Sequence, residues 1–123
     1  MASQRYGVQA LAAKILSALV FACHGLQAAY RTEIALRLEV AVAAVALPLA
    51  LWLGQSGVER ALLVGSVLAV ILAELVNTGL EEVCNRISTD IHPQTKKIKD
   101  IGAAIVLLSL LTGAAVWVLV LWR

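Results

Sequence analysis

Apolar and polar positions alternate along this chain on the scale of whole membrane crossings, with polar residues gathered at the ends of long apolar runs. Residues 38 to 53 read LEVAVAAVALPLALWL, apolar apart from Glu39, and stop at GQSG, a loop signal. A second run, ALLVGSVLAVILAELVNTGLEEV, starts at Ala61 and keeps helical spacing while taking in Glu74, Asn77, Glu81 and Glu82. The third, IGAAIVLLSLLTGAAVWVLVLW, covers residues 101 to 122 without a charge. A hydrocarbon layer about 30 Å thick takes about 20 helical residues, so each run predicts a transmembrane helix. The spans fall at about 34–53, 60–84 and 100–122, the second reaching one membrane face. Pro48 is tolerated inside the first span because neighbouring groups in a membrane helix can satisfy the freed carbonyl. Trp52, Trp117 and Trp122 fit interfacial anchors.

The first thirty residues follow a different pattern. Val8, Leu11, Ile15, Leu19 and Leu26 recur at helical spacing, opposite Lys14, Ser17, His24 and Gln27. That predicts an amphipathic helix over about 6–30, lying in the membrane interface. LSALVFACHG could be misread as the core of a cleaved signal, but its apolar stretch is short, Lys14 closely precedes it, and bulky Phe21 stands where a small residue is usual. The expected fold is therefore an all-α membrane protein, one domain of three transmembrane helices plus an N-terminal amphipathic interfacial helix.

Composition agrees with this placement. Of 123 residues, 61% are hydrophobic and 15% charged, too apolar a balance for an ordinary soluble domain of this size. A formal charge of +2 is too small to suggest nucleic acid as a partner, so only the position of the charges is informative. Arg86, Lys96, Lys97 and Lys99 lie between spans two and three, and Arg5, Lys14, Arg31 and Arg37 precede span one, whereas the loop between spans one and two offers only Arg60. Short cytoplasmic loops collect Lys and Arg. The expected topology is multi-pass, with the N-terminus and the 85–100 loop in the cytosol and the C-terminus outside. Cys23 and Cys84 lack metal-ligand spacing, and a disulfide is not expected beside a loop facing the reducing cytosol.

The chemistry concentrates on span two. Glu74, Asn77, Thr78, Glu81 and Asn85 share one stripe at about 100° per residue, while Glu82 lies about 80° from Glu74. Glu74 and Glu81 are about 10 Å apart along the axis and could serve one extended ligand. A carboxylate at mid-bilayer costs about 2.5–3.5 kcal/mol on insertion scales, which makes Glu74 a functional candidate. The structural alternative is polar packing between helices. Two further clusters lie near the expected inner face. In YRTEIALRLE, Glu33 and Arg37 can form a helix-surface ion pair. Alternatively, Glu33 can join Glu81 around a magnesium ion carrying phosphates. In NRISTDIHPQTKKIKDIG, the lysines serve the topology signal and attract anionic lipid. Lys99 and Asp100 also adjoin the third span, where they can meet a nucleotide's phosphates and one of its polar groups. His92, before Pro93, is assigned to a turn. The phosphate loop GxxxxGK[ST] and the protein-kinase motif set are both missing from the sequence, so phosphoryl transfer would need another scaffold.

In this order and spacing, YRTEIALRLE, AELVNTGLEEVCNR and HPQTKKIKDIGAA resemble the small prokaryotic diacylglycerol kinases, from about Lys14 to the third span. The resemblance implies a homotrimer of three-span subunits that uses ATP and Mg2+ to phosphorylate the hydroxyl of a membrane lipid alcohol. Carried over by residue, Glu74 resembles the general base and Asn77 the asparagine beside it. Glu33 and Glu81 resemble the carboxylates that hold magnesium and contact the nucleotide, and Lys99 and Asp100 resemble further nucleotide contacts. Lys14 matches a position shared by nucleotide and lipid, Glu39 an acid near the metal region on the lipid side, and Trp52 a lipid contact. Four positions depart from the pattern: Asn85 stands where Asp is usual, Lys14 where Arg is common, and Gly79 and Glu82 replace alanines in NSAIEAVVDR. A related branch phosphorylates undecaprenol, whereas ALRLE is closer to the diacylglycerol branch. Outside this family, a small ion-coupled transporter or channel subunit would use Glu74 for a proton or cation. A purely structural subunit would leave the polar stripe without a purpose.

Overall fold

The computed structural model describes residues 2–123, with side chains from residue 7 onward, so the side chain of Arg5 lies outside the described residues. Four α-helices follow one another: α1 Ala2–Thr32, α2 Ile34–Leu53, α3 Gly57–Ile87 and α4 Pro93–Leu121. Each contains a stretch long and apolar enough to cross a membrane, in α1 over Gly7–Thr32. The first helix therefore meets the length and apolarity of a span while also carrying the stripe expected of an interfacial helix. Leu16, Val20 and Phe21 add apolar side chains beyond the Val8-to-Leu26 stripe and narrow its polar face. The chain divides into two units, one formed by α1 and the other by Glu33–Arg123.

Within the second unit, α3 packs against both α2 and α4. On α2 the buried positions are Leu36, Ala43 and Ala50, a strict seven-residue repeat that gives one seam along the helix. Two of the three are alanines, and small side chains let membrane helices approach closely where no hydrophobic effect drives them together. On α3, Leu63, Ser66, Ala73, Glu74, Thr78 and Cys84 are buried, so the polar stripe is part of the packed face. α4 meets α3 through two glycines: a Cβ on Gly113 would touch Ser66 and Val70, and one on Gly102 would collide with Asn77. Higher up the same antiparallel register, the Trp117 indole N–H donates to Ser66 Oγ at 3.1 Å, and Ser66 donates in turn to the Leu63 carbonyl at 2.8 Å. Trp117, expected at the interface, is therefore turned inward and half-buried, while Trp52 and Trp122 remain exposed.

The helix ends explain where polar residues can gather. Ser56 caps α3 by accepting from the Glu59 backbone N–H at 3.1 Å, and Glu59 Oε2 accepts from Gln55 N–H at 2.7 Å, a variant of the capping box. Arg123 joins this end by pairing with Glu59 at 2.8 Å and donating to the Leu53 carbonyl at 2.7 Å. At the opposite end, His92 caps α4 by accepting from Gln94 N–H at 3.0 Å, and Pro93 occupies the first turn, where its missing N–H costs nothing. α3 and α4 thereby run past the apolar sequence that predicts them. α2, with 20 residues, is about 30 Å long, the thickness of a hydrocarbon core. α3, with 31 residues, reaches about 46 Å, so one end must stand out of the apolar layer. Large side chains on the outer faces, including Leu38, Val42, Leu107 and Leu108, are more than half exposed, a surface matched to lipid tails.

Candidate active site

The end of the bundle built by the α1–α2 junction, the second half of α3 and the start of α4 collects the chemistry. Glu74 is 4% exposed, and Thr78 beside it donates to the Glu74 backbone carbonyl at 2.9 Å. That bond satisfies the threonine hydroxyl within its own helix and leaves the Glu74 carboxyl to other partners. Glu39, two turns into α2, faces Glu74 across the helix contact. Its Oε2 is buried and has no hydrogen-bond partner. Glu39 also lines an apolar groove of about 790 Å³ between α2, α3 and α4, with Val42 and Ala46 on one wall and Val70, Ile71 and Leu110 on the others. Glu39 is thus the one carboxyl lining an otherwise apolar groove, with the buried Glu74 beside it on α3.

One turn along α3, Asn77 Nδ2 approaches Glu81 Oε1 at 3.5 Å, a long contact. Asn77 Oδ1 is buried without a partner and points at Gly102 of α4. The glycine is needed there because any Cβ would enter the space of the Asn77 side chain. Glu33 is the single non-helical residue between α1 and α2, and its side chain makes no capping bond, so its carboxylate is not used by the backbone. Burial, then the negative field of Glu81, with smaller contributions from Glu74 and Glu82, pushes the Glu33 carboxyl above the usual carboxylate range. Glu82 contributes least and is exposed. The described residues hold no group of three or more metal-ligating side chains, so Glu33 and Glu81 supply two carboxylates rather than a complete cage.

Beyond Glu81, the α3–α4 loop encloses a polar cavity of about 350 Å³. Lys99 and Asp100 line it as the sequence suggests, and Asn85, His92, Thr95 and Lys96 join them. Lys96 pairs with Asp100 at 2.6 Å, whereas Lys99 donates to Asn85 Oδ1 at 3.2 Å. Asn85, His92, Thr95 and Lys96 are not among the nucleotide candidates that the sequence offers. An i,i+4 spacing could have suggested the Lys96–Asp100 pair, but nothing local to the chain predicts that residues 85 and 99 meet. Lys14 lies on α1 in the separate N-terminal unit, and Trp52 lies near the far end of α2, exposed.

The model of the prokaryotic diacylglycerol kinase family matches residues 20–121, which include every site residue named here except Lys14. The chain belongs to that family. As a prokaryotic diacylglycerol kinase it is a membrane phosphotransferase, and its similarity to curated relatives runs almost end to end. It is 33% identical over 109 residues to the diacylglycerol kinase of Escherichia coli, covering 89% of each chain. It is 34% identical to those of Haemophilus influenzae, over 84% of this chain and 87% of the relative, and Pseudomonas aeruginosa, over 88% of each. Family membership makes the protein a lipid kinase.

Proposed function

We propose that this kinase transfers the γ-phosphoryl group of ATP to the hydroxyl of diacylglycerol, giving phosphatidic acid, with Glu74 as general base. The observation that carries the reading is a buried carboxyl on α3, facing Glu39, which lines an apolar groove, and one turn from Asn77. In this reading the lipid lays its hydrocarbon in the groove and brings its hydroxyl to Glu74. Glu74 accepts the hydroxyl proton as the oxygen attacks phosphorus, the bond to the β–γ bridging oxygen breaks, and ADP leaves with that electron pair. Asn77, held against Gly102, presents its amide toward Glu81 and the reacting phosphate. Holding both reactants in line supplies much of the acceleration, because phosphoryl transfer needs little covalent help from protein groups.

A divalent ion fits the remaining acids. Glu33 lies in the negative field of Glu81, an acidic pair that a cation would neutralise. Magnesium is commonly held by one or two carboxylates together with substrate phosphates. Mg2+ would be held by these two side chains and would offset phosphate charge, while Lys99 and the loop cavity receive the nucleotide. This assigns the α3–α4 loop and the N-terminal side to the cytosol, where ATP is, and the Arg123 end to the outer face. α2, α3 and α4 span the membrane, α1 lies in the cytoplasmic interface, Lys14 serves nucleotide and lipid, Trp52 meets lipid, and three copies of the chain form the enzyme.

The test is reconstitution of the purified protein with Mg2+ and ATP, with diacylglycerol and undecaprenol offered separately. The expected product is phosphatidic acid; undecaprenyl phosphate alone would move the enzyme to the other branch. In protein that still assembles, Glu74→Gln is expected to lower turnover by about 10²-fold or more, the scale of a lost general base. Full activity in that variant would remove Glu74 from the mechanism.

A further inference from the structure

We propose that Asn85 is a positioning residue for the nucleotide, its neutral side-chain oxygen aiming the Lys99 ammonium while leaving the lysine's charge available to phosphate. The inference rests on the reading of Lys99 as a phosphate contact. The loop cavity carries two lysines and two aspartates, Lys96, Lys99, Asp90 and Asp100, whose formal charges cancel. They are not used equally. Lys96 is committed to Asp100 at 2.6 Å, while among the described residues no carboxylate lies within ion-pair distance of Lys99. The partner of Lys99 is instead the Asn85 amide oxygen, at 3.2 Å and fourteen residues away in sequence.

An amide acceptor does two things that neither a carboxylate nor an apolar side chain does together. It restricts a long, flexible ammonium chain to one direction, so less rotamer entropy is lost when phosphate arrives. It also leaves the ammonium's full positive charge unmatched. A carboxylate at the same place would hold Lys99 in a charge-assisted bond that incoming phosphate must compete with, and would make the cavity net negative. Asn85 is exposed and Lys99 half-buried, so the competing pair would have the strength of a surface ion pair. The expected penalty is accordingly a few-fold in affinity.

The experiment compares Asn85→Asp, Lys99→Met and the double variant as full-length protein in detergent micelles, with assembly checked by size exclusion. Asp is isosteric with Asn and the site is exposed, so the substitution leaves the fold undisturbed. Calorimetric binding of a magnesium-complexed, non-hydrolysable ATP analogue is expected to weaken roughly three- to fivefold in Asn85→Asp. KM for ATP should rise in parallel and kcat should change little. In the Lys99→Met background the same change should cost nothing further, because the effect runs through the lysine. Wild-type affinity in Asn85→Asp, or an equal penalty with and without Lys99, overturns the positioning role. If Lys99→Met itself binds the analogue as tightly as wild type, the phosphate-contact reading falls and takes this inference with it. A weakened Lys99→Met beside an unaffected Asn85→Asp removes only the role of Asn85.

Discussion

At Gly102 a missing methyl group determines where an active-site amide can sit. A Cβ there would occupy the space of Asn77 Oδ1, and the Leu80 side chain also lies close by. Gly102→Ala must therefore displace Asn77 or push α4 away, with an overpacking cost of about 1–3 kcal/mol. Small misplacements of reacting groups are costly to rate, so kcat is expected to fall roughly 10- to 100-fold while affinity for the ATP analogue stays near wild type. Steady-state kinetics beside calorimetry would check this, and unchanged kcat would show that Asn77 does not depend on the close approach. Glu33 gives a second residue-scale prediction. Its carboxyl is raised by burial and by neighbouring acids, so the folded protein retains a proton there at pH values where the unfolded chain has lost it. The associated stability is present at low pH and is lost as pH rises through the raised value. A divalent ion acts oppositely, because it requires the deprotonated pair. Mg2+ should therefore raise Tm more at neutral pH than near pH 5, and the difference should shrink in Glu33→Gln. The shared face of Glu74, Asn77 and Glu81 is legible in the sequence, since helix periodicity alone aligns them. The contact between Asn77 and Gly102 is not, because it depends on how α4 is rotated against α3.

At the scale of elements, apolar runs located the cores of α2, α3 and α4 because bilayer thickness sets their length, but they understated the ends. α3 continues to Ile87 and α4 begins at Pro93, where polar side chains and capping bonds replace hydrophobicity as the cause of helix. The loop cavity exists because of those extensions, so its lining could not be assembled from hydropathy. α1 illustrates the opposite difficulty: Leu16, Val20 and Phe21 bring a striped helix to the apolarity of a span, so hydropathy fits an interfacial and a crossing helix equally. Inside the bundle, the Trp117–Ser66 bond fixes the α3–α4 register far from the reacting groups. Trp117→Phe keeps the ring but removes the donor. It should destabilise the protein by about 0.5–1.5 kcal/mol in a reversible detergent unfolding titration, without changing KM for ATP. Ser66→Ala in the Trp117→Phe background should add less than it does alone, since the two groups share one bond.

Over the whole molecule, the polar and apolar ends divide the labour. Arg123, Glu59, Ser56 and Leu53 lock one end of the Glu33–Arg123 unit, while Glu33, Glu81, Asn85 and Lys99 crowd the other. In the proposed mechanism, both substrates' binding elements at that second end are mounted on α3, an unbroken helix of 31 residues. From Glu74 to Asn85 the axial separation is about 16 Å, and a continuous helix holds it nearly constant. α3 is therefore a depth gauge. It sets how far below the nucleotide a lipid hydroxyl must lie to react, and the surrounding bilayer decides whether a given lipid presents its hydroxyl at that depth. Turnover in vesicles of graded acyl-chain length should pass through a maximum, falling in thinner and thicker membranes as mismatch moves the hydroxyl off the mark.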